Sequence, residues 1–383
     1  MIVSYWRLSG FYFFYFATLG AFLPYWSLYL KNSGFAPAAI GELMAVLAGT
    51  RIIAPNLWSW IADRSGKNLR IVRTVSFLAA LIFTGFLFLQ GYLWFVVLTF
   101  AFSLFWNSAL PQYEAATLYH LKAESYRYSR IRLWGSVGFI VAVFTIGWLI
   151  DRYGVARLPF IVVVLLSLIW LSSFFPPEVK QPKSEIKSAG LLCILKKPEV
   201  IAFFAACLLL QIAHGAYYAF YSIYLKQHHY STGMTALLWA LGVVAEILLF
   251  VFMPKLLKRY SLQAILMTSL WLAALRWVAI AWGARWLAVL IAAQLLHAAS
   301  FGAAHAVAIH KVHQYFGDHH QNKGQALYSS LSFGLGGMMG SLGSGYYWQS
   351  LGGQWVYSMA SLCCLIAIII ADSWPGRNDG KMD

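Results

Sequence analysis

Several side chains of this sequence stand where their chemistry is out of keeping with their surroundings. Glu114 lies in SLFWNSALPQYEAATLYHL, Glu246 in LLWALGVVAEILLFVF, Arg51 in VLAGTRIIAPNLW, Arg276 in LWLAALRWVAIAW and His297 in AVLIAAQLLHAASF, while Arg132 opens the run RLWGSVGF. A guanidinium in such a place binds carboxylates and other acceptors through a rigid fork of donors. A carboxylate enclosed by apolar groups is a candidate to carry a proton near neutral pH, because those surroundings disfavour its charge. A neutral imidazole could relay that proton or hydrogen-bond a ligand. Anion binding joined to proton movement is the chemistry these residue types allow.

The elements that must position them follow from composition. The chain has 383 residues, of which 61% are hydrophobic, 17% aromatic and 11% charged, against about 25% charge in soluble domains. Apolar runs of about 20 residues, enough to cross roughly 30 Å of hydrocarbon as a helix, recur from end to end. Twelve are expected, near 5–30, 38–62, 71–90, 92–121, 129–150, 157–176, 199–225, 233–254, 263–283, 286–310, 324–347 and 353–372. The fold class is therefore all-α and integral to a membrane. An ionisable group at membrane depth needs a partner or a watery cavity. The fourth run ends roughly 10 Å beyond Glu114, and the fifth, returning, places Arg132 roughly 5 Å up, so antiparallel neighbours would hold the two at comparable depth. Such a pair could lock two helices together, or face a cavity where an anionic substrate competes for the arginine. Glu246 could likewise serve as a partner for Arg276 or as a proton carrier.

The formal charge of +15 does not point to nucleic acid once its distribution is read. With both termini in the cytoplasm, the inner segments hold 21 of the 28 Lys and Arg and the outer loops hold Lys31, Arg152, Arg157, Lys226 and Arg285. That asymmetry is the positive-inside pattern. The first run lacks a small-residue cleavage site and is expected to stay in the protein. The expected address is the inner or plasma membrane.

The main interruption, PPEVKQPKSEIKSAGLLCILKKPEV at 176–200, divides the runs six and six. It gives an N-terminal half at 1–176, a central cytoplasmic loop at 177–198, a C-terminal half at 199–373 and a cytoplasmic tail at 374–383. Outer loops such as QGYLW and WGARW leave no room for an outer domain, and no nucleotide-binding loop is present. Two helical halves are the plan of many secondary transporters, with a site expected near the midplane. LSFGLGGMMGSLGSGYY at 331–347 offers close helix packing through Gly336 and Gly340, as WGSVGF does through Gly135 and Gly138. Cys193, Cys207, Cys363 and Cys364 have neither metal nor disulfide spacing. Of the histidines, His310 and His313 alone have an i,i+3 spacing, and no carboxylates accompany them, so neither metal nor cofactor is expected. Aromatic residues are dense. Interfacial belts account for many, but Trp134 and YYAFY at 217–221, with Tyr218, lie where helices would line a cavity, as does His214.

The link SWIADRSGKNLR resembles the pattern G-x-x-x-D-R-x-G-R-K of the major facilitator superfamily through Asp63, Arg64, Gly66 and Lys67, with Ser59 and Asn68 departing from it. The resemblance implies a brace at the cytoplasmic face, hence a gate element. GAFLPYWSLYLKNSGFAPAAIGEL, YSRIRLWGSVGF, AHGAYYAFYSIY and LWALGVVAEILLF are similar to the lactose permease group, the last two to its phenylpropionate branch. That resemblance implies the major facilitator fold and a usual monomer. It implies substrate binding by Glu114 and Arg132, which have the group's eighteen-residue spacing, and proton coupling by Arg276, His297 and Glu246, the last offset by about three residues. Ser300 stands where the group has a second glutamate. Arg51 resembles the phenylpropionate branch alone.

Three deep bases, Arg51, Arg132 and Arg276, against Glu114 and Glu246 leave one positive charge that a carboxylate ligand would balance. The expected function is a secondary transporter, not an enzyme, that moves an aromatic monocarboxylate such as 3-phenylpropionate inward with a proton, with Arg51, Trp134, Tyr218 and His214 completing the substrate site. Its rivals are a symporter of the same fold for a neutral sugar or nucleoside, a histidine-dependent membrane enzyme, and a sensor that transports nothing.

Overall fold

The computed structural model describes residues 5–121, 124, 127–178 and 191–373, without the side chains of 63, 191, 192, 318, 319 and 322. Among them all regular structure is helical: α1 Tyr5–Asn32, α2 Pro37–Ser65, α3 Asn68–Phe83, α4 Tyr92–Leu121, α5 Tyr128–Tyr153, α6 Leu158–Ser172, the short α7 Leu191–Leu195, α8 Pro198–Gln227, α9 Thr232–Arg259, α10 Leu262–Gly283, α11 Leu287–His297, α12 Ala304–Ser329 and α13 Gly337–Ser373. Local chemistry sets several ends. Pro37 and Pro198 open their helices where the missing N–H costs nothing, and the Ser261 hydroxyl caps α10 by accepting from Ala264 N at 3.1 Å. Gly66 ends α2 in the left-handed region at φ 65°, its N–H returning to Ala62 O at 2.7 Å.

Eleven helical stretches among the described residues are long and apolar enough to span a bilayer. The last, Lys323–Ser373, has 51 residues and would be about 75 Å long if straight. It is not straight, because Gly352 takes φ 80° and ψ 165° inside it. Trp348 and Tyr357 have ring centroids 6.2 Å apart across that glycine, where nine helical residues would separate them by roughly 13 Å. The chain therefore turns back at Gly352, and the two expected runs at 324–347 and 353–372 remain two crossings. Gly317, at φ 57°, makes the corresponding break between the crossings before it. The sixth run stops earlier than expected, at Ser172, where the Ser172 and Ser173 hydroxyls bond back to Ile169 O and Trp170 O ahead of Pro176. Most of the central segment, 179–190, and the tail from 374 lie outside the described residues.

By contact density the chain forms two compact units, one of Met1–Ile186 with Ser231–Ala236 and the other of Lys187–Tyr230 with Leu237–Asp383. In the first, α1 packs along α5, and α4 against α2 and α3; in the second, α13 lies against α8 and α10. Glycines set the closest approaches. A Cβ on Gly138 of α5 would meet the Phe13 carbonyl of α1, and one on Gly340 of α13 the Ile212 carbonyl of α8. Large apolar side chains such as Leu93, Val251 and Ile369 are at least 65% exposed, an outward surface that hydrocarbon solvates and water does not.

Candidate functional site

In the first unit, three helices bring the predicted pair together with side chains that shape it. Glu114 of α4 and Arg132 of α5 approach to 3.7 Å through Oε1 and Nε, and both side chains keep about a third of their surface open, 34% and 32%. Tyr128, one turn before Arg132, donates its hydroxyl to Glu114 Oε1 at 3.0 Å. The Arg132 guanidinium lies over the Phe16 ring of α1 at 3.9 Å, with Tyr12 at 5.9 Å. Gly135 makes room for that stack, since a Cβ there would sit 2.7 Å from Phe16 and 2.9 Å from Arg132 Nη1. An arginine held on an aromatic face, in single-point contact with its carboxylate, can still present its fork to a ligand. Arg51 of α2 lies in the same unit, its Nε 3.5 Å from Asn107 Oδ1 of α4, next in sequence to Trp106, which stacks on the Tyr15 ring of α1 at 5.5 Å.

The second unit holds a separate group. Arg276 of α10 has no exposed surface. Its Nε donates to Ala293 O at 3.0 Å and its Nη1 to Ser300 Oγ at 3.5 Å, and the guanidinium lies 4.5 and 4.4 Å from the Tyr217 and Trp277 ring centroids. Gln294 Oε1 accepts from Tyr217 at 3.0 Å, and its Nε2 donates to Tyr221 at 2.7 Å. Glu246 is not the partner of Arg276. Its Oε2 stands 4.0 Å from His297 Nε2, and among the described residues no carboxylate lies within 4.0 Å of Arg276. His297 stacks on Phe301 at 5.3 Å. Immediately after it the helix widens to a π-turn over Ala298–Ala303, and a second such segment spans Ser330–Gly336; π-turns of this kind recur at functional sites.

A buried guanidinium stacked on rings and met by neutral acceptors is a poor contributor to stability, because its desolvation offsets what those contacts return. Arg276→Met is therefore expected to leave the thermal midpoint of the purified protein unchanged or raised while uptake of its substrate collapses. A fall in midpoint of more than about 5 °C would instead make the arginine a structural element.

Other predicted residues fall elsewhere. His214, fully buried, bonds through Nδ1 to Leu210 O at 2.8 Å and meets Trp277 edge-on at 4.9 Å, so it belongs to the Arg276 group. Tyr218 is half-buried beside it, 6.1 Å ring to ring. Trp134 turns to α1, donating to the Tyr5 hydroxyl at 2.7 Å and packing on Trp6, and stays half-buried. In the link after α2, Arg64 covers the Trp60 ring at 3.8 Å and Lys67 is exposed, while the Asp63 side chain lies outside the described residues. The two positions that depart from the superfamily pattern share one partner. Gln112 of α4 donates to Ser59 Oγ at 2.8 Å and accepts from Asn68 Nδ2 at 3.3 Å, binding α2 and α3 to α4.

Sequence reasoning passed over Tyr128 and Asn107. Their signal was spacing: Tyr128 is four residues before Arg132, and Asn107 seven before Glu114, each on one helix face with the charged residue.

Residues 5–359 match the family model described as MFS_1 like family. Over 376 residues the chain is 29% identical to the probable 3-phenylpropionic acid transporter of Escherichia coli (strain K12), covering 93% of this chain and 95% of that protein. It is 26% identical to the maltose permease of Geobacillus stearothermophilus over 375 residues, 94% of this chain and 92% of that one. The crystal structure of the nucleoside transporter NupG superposes with a TM-score of 0.86 at 16% identity, covering 98% and 99% of the two chains.

Proposed function

Because the chain belongs to the MFS_1 like family and is a multi-pass membrane transporter, not an enzyme, we propose that it carries an aromatic monocarboxylate such as 3-phenylpropionate by alternating access, in symport with a proton. The observation that carries this reading is the charge of the first unit's cluster. Arg132 pairs with Glu114 beside the rings of Tyr12 and Phe16, and Arg51 of the same unit has no carboxylate within 4.0 Å among the described residues. One anionic ligand with an aromatic body would balance that charge and pack against those rings. The name of the Escherichia coli relative supports the same class. In this reading Glu114 and Arg132 contact substrate, and Glu246 with His297, near Arg276, carries the proton. Both termini and the Asp63–Lys67 gate face the cytoplasm, across the inner membrane, and the working form is a monomer of two six-helix halves.

A neutral sugar or nucleoside is the second reading. Glu114 already accepts a hydroxyl, that of Tyr128, as a sugar-binding carboxylate would, and the maltose permease and NupG likenesses point the same way.

Uptake into proteoliposomes of labelled 3-phenylpropionate, maltose and a nucleoside, each with and without an inward proton gradient, decides between them. Gradient-driven accumulation of phenylpropionate is expected. Phenylpropionate entry no faster than into empty liposomes, with maltose or nucleoside accumulating, would reverse the assignment; accumulation indifferent to the gradient would remove the proton.

A further inference from the structure

Arg51 is a charged residue of the first unit that has no ion-pair partner among the described residues. Among the described residues no carboxylate lies within 4.0 Å of it, although its side chain is half-buried in an apolar helix. Its side-chain partner is the amide oxygen of Asn107 on α4, 3.5 Å from Nε. That amide cannot turn. Its Nδ2 donates to Leu47 O at 3.0 Å and to Thr50 Oγ1 at 2.9 Å, and Thr50 in turn is 2.9 Å from Ser103 Oγ. Two acceptors around Nδ2 fix which end of the amide is nitrogen, so Oδ1 must face the guanidinium. Asn107 is buried, and so are Thr50 and Ser103.

Contact through Nε has a consequence for the rest of the guanidinium. It orients the plane while leaving the Nη1 and Nη2 edge, the parallel pair of donors that fits a carboxylate, without a protein acceptor among the described residues. Arg132, by contrast, already has Glu114 opposite it. We infer that Arg51 is the anchor for the substrate's carboxylate, and that Asn107 is a positioning residue that aims it. The division of labour then separates two functions within one unit: Arg51 selects for an anion, and the Glu114, Tyr128 and Arg132 group meets the substrate's remaining polar surface or the change of state. This rests on the reading of the substrate as an aromatic monocarboxylate and names the atom that recognises its charge.

The test compares 3-phenylpropionate with its neutral isostere 3-phenylpropionamide. Binding of each to the purified full-length protein is measured by calorimetry, with uptake kinetics of the acid in proteoliposomes. The unmodified protein is expected to prefer the acid. Arg51→Gln should erase that preference through a roughly ten- to hundredfold loss of acid affinity, with the amide unaffected. Asn107→Leu should raise KM for the acid about three- to tenfold at an unchanged maximal rate, again without touching the amide. A merely structural role would weaken both ligands alike, and that result overturns the assignment of Asn107. Should Arg51→Gln fail to fold, Arg51→Lys keeps the charge without the fork, so the preference should fall sharply; a preference of unmodified size would refute the anchor. An unmodified protein that transports phenylpropionate, beside an Arg51→Gln variant that still prefers acid to amide, defeats this inference alone. An unmodified protein that binds neither ligand defeats the substrate reading and the inference with it.

Discussion

Glu114→Gln and Arg132→Gln should each lower substrate uptake by roughly a hundredfold, equivalent to about 2.8 kcal/mol, in a protein that remains folded. The reasoning is geometric. The pair meets at 3.7 Å through one nitrogen, with a third of each side chain open, and an ion contact of that exposure contributes at most about 1 kcal/mol to stability. What the two groups offer is a matched donor fork and acceptor at one depth, held by Tyr128 on one side and Phe16 on the other. Arg132→Lys sharpens the test. It preserves the charge but loses the planar stack on Phe16 and the bidentate fork, so it should fail nearly as badly as the glutamine. If the lysine and glutamine variants leave apparent affinity for substrate unchanged but melt several degrees lower, the pair is a bridge between α4 and α5 and the substrate site lies elsewhere.

Gly340→Val should lower the thermal midpoint by roughly 6–12 °C, the effect of about 3 kcal/mol in a unit of this size. A Cβ at Gly340 would run into the carbonyl oxygen of Ile212 and come within 3.0 Å of Gly215 Cα, and a Cβ at Gly215 would lie 2.5 Å from Gly340 Cα. Backbone meets backbone on both sides, so no side chain can turn aside, and α8 and α13 would have to part. Gly343 is the control, three residues along the same helix with nothing within 4 Å of its built Cβ. Gly343→Ala should change stability by less than about 1 kcal/mol. Equal losses at both positions would mean that glycine serves these helices through backbone flexibility and not through contact.

How much of this could be read before folding differs by kind of feature. Spans were legible because hydrocarbon thickness imposes a run length that loops cannot imitate, and α4 falls on its expected 92–121. The likeness of the link after α2 to the superfamily pattern was legible as well. Pairing across helices was legible only where the antiparallel connection is short, as between α4 and α5, since depth can then be counted along the chain. Glu246 shows the limit. One helix from Arg276 in sequence, it turns to His297, and no count of residues distinguishes those outcomes because both partners lie at membrane depth. The bonds of Gln112 to Ser59 and Asn68 were equally hidden, although all three residues were in view.

The sequence by itself therefore determined that this is a multi-pass helical transporter of its family, and that a small set of charged side chains must find partners inside it. The rotation of each helix about its own axis was decided only by the tertiary structure. A helix in lipid is apolar nearly all round, so no stripe marks its inner face; glycine contacts such as Gly138 on Phe13 and Gly340 on Ile212 set that rotation instead. Rotation placed Arg132 on Phe16, turned Trp134 to Tyr5, and set the Asn107 amide against Arg51.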